Sequence, residues 1–217
     1  MAPLRLHPGD RLVLATHNQG KLAEFRDLLA PFDLDLVSAG DLGLPEPDET
    51  GTTFIENARI KAHAAATASG LIALADDSGL CVDALNGDPG VYTANWAGAT
   101  ANGGRDYMVG MRRVEDSLQA MGAATPARRR GSFNATLCLA HPDGRDVIFE
   151  GKVEGTMVWP PRGKKGFGFD PVFMPDGFDI TFGEMPAAEK HSWSPGKVGL
   201  SHRARAFAKF VEASLER

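Results

Sequence analysis

The chain has 217 residues, of which 43% are hydrophobic and 24% charged, and its formal net charge is -5. These proportions are typical of a soluble globular protein, and the acidic balance argues against a protein that coats nucleic acid. No apolar run approaches the roughly 20 residues of a membrane span, and the first eleven residues lack the apolar core of a signal peptide. Cys81 and Cys138 form no metal-binding or redox spacing, so we expect a reduced, cytoplasmic setting.

Strands and helices alternate in the first half of the chain. In chain order we predict a strand at 11–16, a helix from Leu22 that ends near Pro31, a strand at 33–38, a helix from Thr53 to about Ser69 and a strand at 71–75. Asn18 is the expected N-cap of the first helix, and Thr53 with Glu56 forms a capping box at the second. Residues 40–51 are expected to form a loop. This alternation is typical of α/β proteins.

The second half has fewer helices. Here we predict a loop with short helical turns at 80–102, a helix from Arg105 to Met121, two strands within 132–158 joined by Pro-Asp-Gly, a short strand at 171–175 and a closing helix at 201–215. Together the two halves predict a mixed α/β sheet flanked by helices.

The third predicted strand is expected to end at two adjacent acids, Asp76 and Asp77. Neighbouring carboxylates repel each other, and burying either without a partner is costly. Ligands of α/β sheets bind beyond the carboxyl ends of strands, which favours a functional site here. Glu46, Asp48 and Glu49 add acids in the preceding loop. Such oxygen ligands suit Mg²⁺, although a solvated acidic loop and an Asp-capped turn explain the same residues.

Two basic features can bind phosphate. The turn at 16–21, THNQGK, lies where a strand meets a helix N-terminus, whose free N–H groups favour anions. The alternative for this turn is an Asn cap followed by a surface lysine. Lys61 follows Asn57 by four residues on one helix face, where it can reach a phosphate or pair with an acid.

Two later segments can surround a nucleobase. Glycines in 163–171 allow close backbone approach, and Phe167 and Phe169 offer flat surfaces for stacking; the alternative is a glycine-rich turn with one aromatic ring in the core. His202 and Arg203 begin the last helix. Arginine only donates hydrogen bonds, so a pocket of donors accepts a keto oxygen and rejects an amino group. An ordinary capped helix with exposed basic residues is the alternative.

In combination these motifs resemble those of the inosine triphosphate pyrophosphatase family. The segments that carry the resemblance are ATHNQGK, ETGTTFIENARIKA, ALADDSGLCVDALNGDPGVYTANWAG, GFGFDPVF and SHRARA. They occur in order over nearly the whole chain. The resemblance implies one domain over 1–217, with an elongated mixed α/β sheet, two lobes and a site in the central cleft. It further implies a homodimer and Mg²⁺-dependent attack of water on the α-phosphorus of non-standard purine nucleoside triphosphates, such as ITP, dITP and XTP.

The resemblance also implies roles for individual residues. Asp77 corresponds to the general base, with Asp76 and Lys61 beside it in the catalytic group, and Asp77 with Glu49 to the metal ligands; Glu46 is the alternative to Glu49. The implied triphosphate-binding residues are Thr16, Asn18, Lys21 and Lys61, and His17, Gln19 and Gly20 are implied as further substrate-binding residues of the same turn. The implied nucleoside-binding residues are Ser78, Phe167, Gly168, Phe169, Asp170, Lys190, His202 and Arg203.

Two positions depart from the family pattern. His17 stands where a small residue is common, and residues 191–200 are longer than expected and read as a surface loop between two pocket elements. Two other functions therefore stay open. One is a related pyrophosphatase that prefers modified pyrimidines, and the other is a nucleotide-binding module without catalysis.

Overall fold

The computed structural model describes residues 4–100 and 104–216. Its strands are β1 (Arg11–Leu14), β2 (Asp35–Ser38), β3 (Ile72–Val82), β4 (Gly98–Ala99), β5 (Arg105–Asp106), β6 (Arg130–Ala140), β7 (Asp146–Met157), β8 (Phe173–Pro175), β9 (Trp193–Ser194) and β10 (Lys197–Val198). Its helices are α1 (Gln19–Leu29), α2 (Phe54–Ser69), α3 (Thr93–Trp96), α4 (Tyr107–Ala120), α5 (Ala187–His191) and α6 (His202–Ser214). No helix in the described ranges is both long and apolar enough to cross a bilayer.

Six strands form one mixed sheet in the order β2-β1-β3-β6-β7-β8. β1 runs parallel to β2 and β3, and the helices α1 and α2 supply the crossovers from β1 to β2 and from β2 to β3. The remaining neighbours, from β3 through β8, are antiparallel. The predicted mixed α/β fold is therefore confirmed.

The predicted end of the third strand is wrong. β3 continues to Val82, because β6 pairs with it residue by residue from Ala73 onward. β1 accompanies β3 only as far as Leu74. Asp76 and Asp77 therefore lie inside β3, just past the end of β1, where one edge of the strand loses its neighbour. Backbone pairing with a strand some sixty residues later overrides the turn-like sequence DDSG.

Adjacent residues of a strand point to opposite faces of the sheet, and β3 follows this rule. Leu74 packs in the apolar cluster formed with α1 and α6, whereas Ala73 and Ala75 pack in the cluster formed with α2. By this alternation Asp76 shares the α1–α6 face, and Asp77 shares the α2 face. The two carboxylates are neighbours in sequence but are directed to opposite faces.

The two predicted helix caps, at α1 and α2, are confirmed, and a third is present at α6. Asn18 Oδ1 accepts hydrogen bonds from the amides of Gly20 and Lys21 at 2.9 and 3.1 Å. Thr53 and Glu56 make the reciprocal bonds of a capping box at α2. Ser201 caps α6, since its Oγ accepts from the Ala204 amide at 3.1 Å. Each cap lies within a few residues of a predicted site residue, so the caps fix the backbone positions from which those side chains extend.

Residues 191–200 form a short hairpin rather than the predicted surface loop. β9 and β10 pair antiparallel, and the Ser201 amide donates to the Lys190 carbonyl at 2.8 Å, which closes the base of the excursion. The Trp193 ring lies 5.3 Å from Phe32 and 5.9 Å from Phe207 between ring centroids. Aromatic packing of this kind anchors the hairpin to the core.

Helix α6 crosses β7 at very close range. A Cβ atom on Gly151 of β7 would overlap the carbonyl oxygen of His202 and the amide nitrogen of Ala206. The absence of a side chain at Gly151 therefore sets the distance between the sheet and the start of α6.

We predict that Gly151→Ala lowers the free energy of unfolding by about 1–3 kcal/mol, because backbone atoms of α6 must move to admit the methyl group. Urea unfolding measures this change. Gly40→Ala is the matched control, since its Cβ would meet only Ser38 Oγ at 3.7 Å. Equal stability of the two variants would contradict the close contact.

Candidate active site

On the α2 face, one ammonium joins two carboxylates. Lys61 Nζ lies 2.7 Å from Asp77 Oδ1 and 2.9 Å from Glu49 Oε1. Burial alone would lower the pKa of Lys61, but Asp77 and Glu49 outweigh it and raise that pKa, so Lys61 stays cationic. The loop that carries Glu49 is fixed to α2, because buried Asn57 Oδ1 accepts from the Gly51 amide at 2.8 Å.

On the opposite face, Asp76 is surrounded by donors. Lys21 Nζ lies 2.6 Å from Asp76 Oδ2, Arg203 Nη2 lies 3.3 Å from the same oxygen, and Ser78 Oγ donates to it at 3.1 Å. Burial opposes ionisation, yet Arg203 and Lys21 hold the pKa of Asp76 well below its usual range. Asp76 therefore favours its ionised form and links α1 to α6 through Lys21 and Arg203.

Asp77 differs from its neighbour in protonation. Burial raises the pKa of Asp77 to about 6, against the opposing attraction of Lys61. A carboxylate with a pKa near the operating pH is well suited to accept a proton in a reaction. Of the two acids, Asp77 has the properties of a general base and Asp76 those of a positioning group.

Arg203 is held by groups of the protein itself, which sequence reasoning did not anticipate. Its guanidinium is almost fully buried between Asp76 and Glu24, with Nη1 2.6 Å from Glu24 Oε2 and Nη2 3.1 Å from Ser78 Oγ. Glu24 also lies 2.9 Å from His191 Nδ1. Burial alone would raise the pKa of Glu24, but Arg203 and His191 outweigh burial and lower this pKa to about 2. The signal for Glu24 was its position three residues after Lys21 on α1, which puts both on one helix face.

A charged cavity of about 200 Å³ lies beside β3. Its polar lining residues are Thr16, His17, Asn18, Lys21, Glu46, Glu49, Lys61, Asp76, Asp77 and Arg105. Most of the predicted phosphate and metal residues are thus brought together, although Gln19 and Gly20 are not among the described residues that line it. Arg105 was missed, because its sequence surroundings contain no motif.

The amides at the start of α1 are less available than predicted. Those of Gly20 and Lys21 donate to Asn18 Oδ1, and the Asn18 amide donates to Thr16 Oγ1 at 3.1 Å. These bonds engage three of the N–H groups that were expected to face an anion. Lys21 supplies the charged side chain for anion contact in this turn.

An aromatic pocket adjoins the charged cavity and shares Asn18 and Lys21 with it. The predicted members that line it are Ser78, Phe167, Gly168, Phe169, Asp170, His202 and Arg203. The residues that were missed are Gly79, Thr93, Tyr107, Phe133, Phe182, His191 and Ser201. The missed aromatic rings come from α4, β6 and the segment after β8, so only the folded sheet reveals them.

Lys190 was predicted to line this pocket, but it does not. It is fully buried behind Asp170, with Nζ 2.8 Å from Asp170 Oδ2 and 2.9 Å from the Phe182 carbonyl oxygen. Gly166 has φ +86°, and a Cβ there would overlap both Asp170 Oδ2 and Lys190 Nζ. Glycine at 166 thus permits the buried ion pair, and that pair fixes the glycine-rich loop.

His202 is neutral and stacked. Its ring lies parallel to Phe133 with centroids 5.0 Å apart, and burial together with Arg203 lowers its pKa to about 3. A neutral imidazole offers one donor and one acceptor. His202 Nδ1 is buried and has no hydrogen-bond partner within the described ranges.

The carboxylates of the cavity fit a divalent cation whose remaining ligands come from the substrate and water. Asp77 Oδ2 is buried and has no partner among the described residues, while Asp77 Oδ1 and Glu49 Oε1 share Lys61. Residues 4–100 and 104–216 contain no group of three or more His, Cys, Asp or Glu that would hold a metal alone. Mg²⁺ typically takes one or two carboxylates plus phosphates and water, so Asp77 with Glu49 matches that donor set.

The fold and site define a mixed α/β protein in which a charged cavity with paired lysines and acids continues into an aromatic pocket. The model of the Ham1 family matches residues 12–213, so the chain belongs to the Ham1 family. This confirms the resemblance that the motifs indicated.

Relatives and solved structures agree with this membership. The chain is 62% identical to the dITP/XTP pyrophosphatase of Mesorhizobium japonicum, over 96% of this chain and 94% of that protein. It is 59% identical to the dITP/XTP pyrophosphatase of Brucella melitensis, over 98% and 96% of the two chains. A HAM1 protein structure from Coxiella burnetii superposes with a TM-score of 0.82 at 35% identity, covering 94% of this chain and 97% of that chain.

We predict that Glu24→Gln lowers the free energy of unfolding at pH 7 by about 3 kcal/mol, because a charge bound to buried Arg203 is lost. The pKa of Glu24 falls from 4.5 in its ordinary state to about 2 in the fold. The stabilisation is therefore complete above pH 4.5 and is lost as the pH falls towards 2.

Urea unfolding at several pH values tests this, with exposed Glu212→Gln as the control. The gap between wild type and Glu24→Gln should shrink below pH 4.5. A gap that stays constant would indicate lost packing instead of lost charge.

Proposed function

We propose that the protein hydrolyses non-standard purine nucleoside triphosphates, namely ITP, dITP and XTP, to the monophosphate and pyrophosphate in a Mg²⁺-dependent reaction. The observation that carries the proposal is the continuity of the site, because Asn18 and Lys21 line both the charged cavity and the aromatic pocket. A nucleoside in the pocket would direct its phosphates into the cavity. Relatives named dITP/XTP pyrophosphatase over nearly the full chain support the same substrate class.

In this proposal Asp77 removes a proton from the water that attacks the α-phosphorus, and the α–β phosphoanhydride bond breaks to release pyrophosphate. Its raised pKa of about 6 supports that role, since Asp77 is ionised at neutral pH and still basic enough to accept a proton. Lys61 holds Asp77 and Glu49 in place. Mg²⁺ bound by Asp77 and Glu49 would neutralise charge on the phosphate oxygens.

Asp76 has a positioning role. It ties Lys21 of the phosphate cavity to Arg203 of the nucleoside pocket through one carboxylate oxygen. The two halves of the substrate are thereby bound by residues with a common anchor. Arg203 acts mainly through its ion pair with Asp76. Arg203 and Ser78 both line the pocket that would hold the nucleoside.

Base selection falls to His202 in this proposal. A neutral ring stacked on Phe133 can donate to the oxygen at position 6 of hypoxanthine or xanthine. Adenine presents an amino group there, so the buried donor would be unpaired, at a cost of about 1–3 kcal/mol. We also propose, from the family resemblance, a homodimer located in the cytoplasm.

We predict pyrophosphate release from ITP, dITP and XTP in the presence of Mg²⁺, with at least tenfold lower kcat/KM for ATP and modified pyrimidine triphosphates. Chromatographic identification of products with each triphosphate tests this, and chelation of the metal should stop turnover. Release of orthophosphate instead of pyrophosphate would contradict attack at the α-phosphorus. Binding without turnover would favour a non-catalytic module.

We predict that Asp77→Asn lowers kcat for ITP by about 10²–10⁴-fold, because an amide cannot accept the proton from water. The matched control is Asp27→Asn on the exposed face of α1, which should leave kcat unchanged. Circular dichroism checks the fold of both variants. Wild-type turnover by folded Asp77→Asn would rule out Asp77 as the base.

A further inference from the structure

Arg105 is the cation of the charged cavity that none of the roles above uses. Lys21 is paired with Asp76 at 2.6 Å, and Lys61 is paired with both Asp77 and Glu49. The Arg105 side chain, in contrast, is exposed and makes no hydrogen bond or ion pair with another residue of the described chain. Among the described residues that line the cavity, Lys21 and Lys61 each have a carboxylate partner, whereas Arg105 has none.

The backbone of Arg105 is well anchored. Arg105 pairs with Ala99 in the β4–β5 ribbon, and the next residue, Asp106, caps α4 by accepting from the Met108 amide at 3.0 Å. Its Cα is therefore fixed between a strand pair and a helix start. The side chain reaches the cavity from this ribbon, whereas the lysines reach it from α1 and α2.

The position of Arg105 identifies which part of a substrate it can contact. It lines the charged cavity and also the adjoining groove with Glu46, Asp48 and Glu49, but it is not among the described residues that line the aromatic pocket. A ligand whose nucleoside occupies the pocket would therefore present the far end of its phosphate chain to Arg105.

We infer that Arg105 is a substrate-binding residue for the β- and γ-phosphates, the part of the substrate that leaves as pyrophosphate; this inference rests on the proposed function. A guanidinium is always charged and presents paired N–H donors that match two phosphate oxygens. As the α–β bond breaks, negative charge grows on the leaving pyrophosphate, and Arg105 stabilises it there. Lys61 stays with Asp77 and Glu49, whereas Lys21 contacts the phosphates from its anchor on Asp76.

Three variants test this role: Arg105→Ala, Arg105→Lys and the control Arg112→Ala. Arg112 is an exposed arginine on α4 whose guanidinium packs over Trp159, away from the cavity. We expect Arg105→Ala to lower kcat/KM for ITP at least tenfold, since the charge-assisted hydrogen bonds to the phosphate oxygens are lost. Arg105→Lys should recover part of this loss, and Arg112→Ala should stay within twofold of wild type.

Product inhibition separates the phosphate end from the nucleoside end. In Arg105→Ala the inhibition constant of pyrophosphate should rise at least tenfold, while that of inosine monophosphate changes less than twofold. Equal weakening of both products, or pyrophosphate inhibition like that of Arg112→Ala, would overturn the inference.

Calorimetric titration of pyrophosphate with Mg²⁺ and no nucleotide distinguishes the two proposals. If wild type hydrolyses ITP and Arg105→Ala binds pyrophosphate as wild type does, the inference alone fails. If wild type does not release pyrophosphate from ITP but binds pyrophosphate in an Arg105-dependent way, the proposed function fails and the anion contact stands.

Discussion

The site depends on one constraint, which is that successive side chains of a β-strand point to opposite faces. In β3 this rule separates Asp76 from Asp77, and each finds its own cations: Lys21 and Arg203 for the first, Lys61 for the second. Two adjacent acids that would repel each other in a turn become the centres of two ion-pair clusters. The end of β1 at Leu14 leaves both clusters beside the same cavity.

This separation also gives two chemically identical residues different properties. Strong pairing on the α1–α6 face keeps Asp76 ionised, whereas burial beside Lys61 raises the pKa of Asp77 to about 6. Divergent environments for neighbouring acids are a common way to divide a structural task from a proton-transfer task. Glu24 completes the arrangement, since it shares Arg203 with Asp76 and so links α1 to α6.

Local features of the sequence predicted much of this structure, and long-range partners account for the rest. The caps at Asn18, at Thr53 with Glu56 and at Ser201 depend on three or four consecutive residues, and the sequence patterns identified the first two. The end of β3 was misplaced because β6, far along the chain, pairs with it. Lys190 and Arg203 were predicted as nucleoside-binding residues, but their ion pairs with Asp170 and Glu24, which come from other elements, were not predicted. Arg105 has no motif, and only the cavity identifies it.

The hairpin at 191–200 leaves the frame of the site and returns to it at nearly the same point, because Ser201 bonds back to Lys190. Trp193 fixes its base to the core, while Pro195 and Gly196 at its tip are exposed. Because the two ends of the hairpin are adjacent, its tip can change without moving the backbone that holds His202. Its tip therefore tolerates changes in length, and it is a natural attachment point for a reporter group next to the nucleoside pocket.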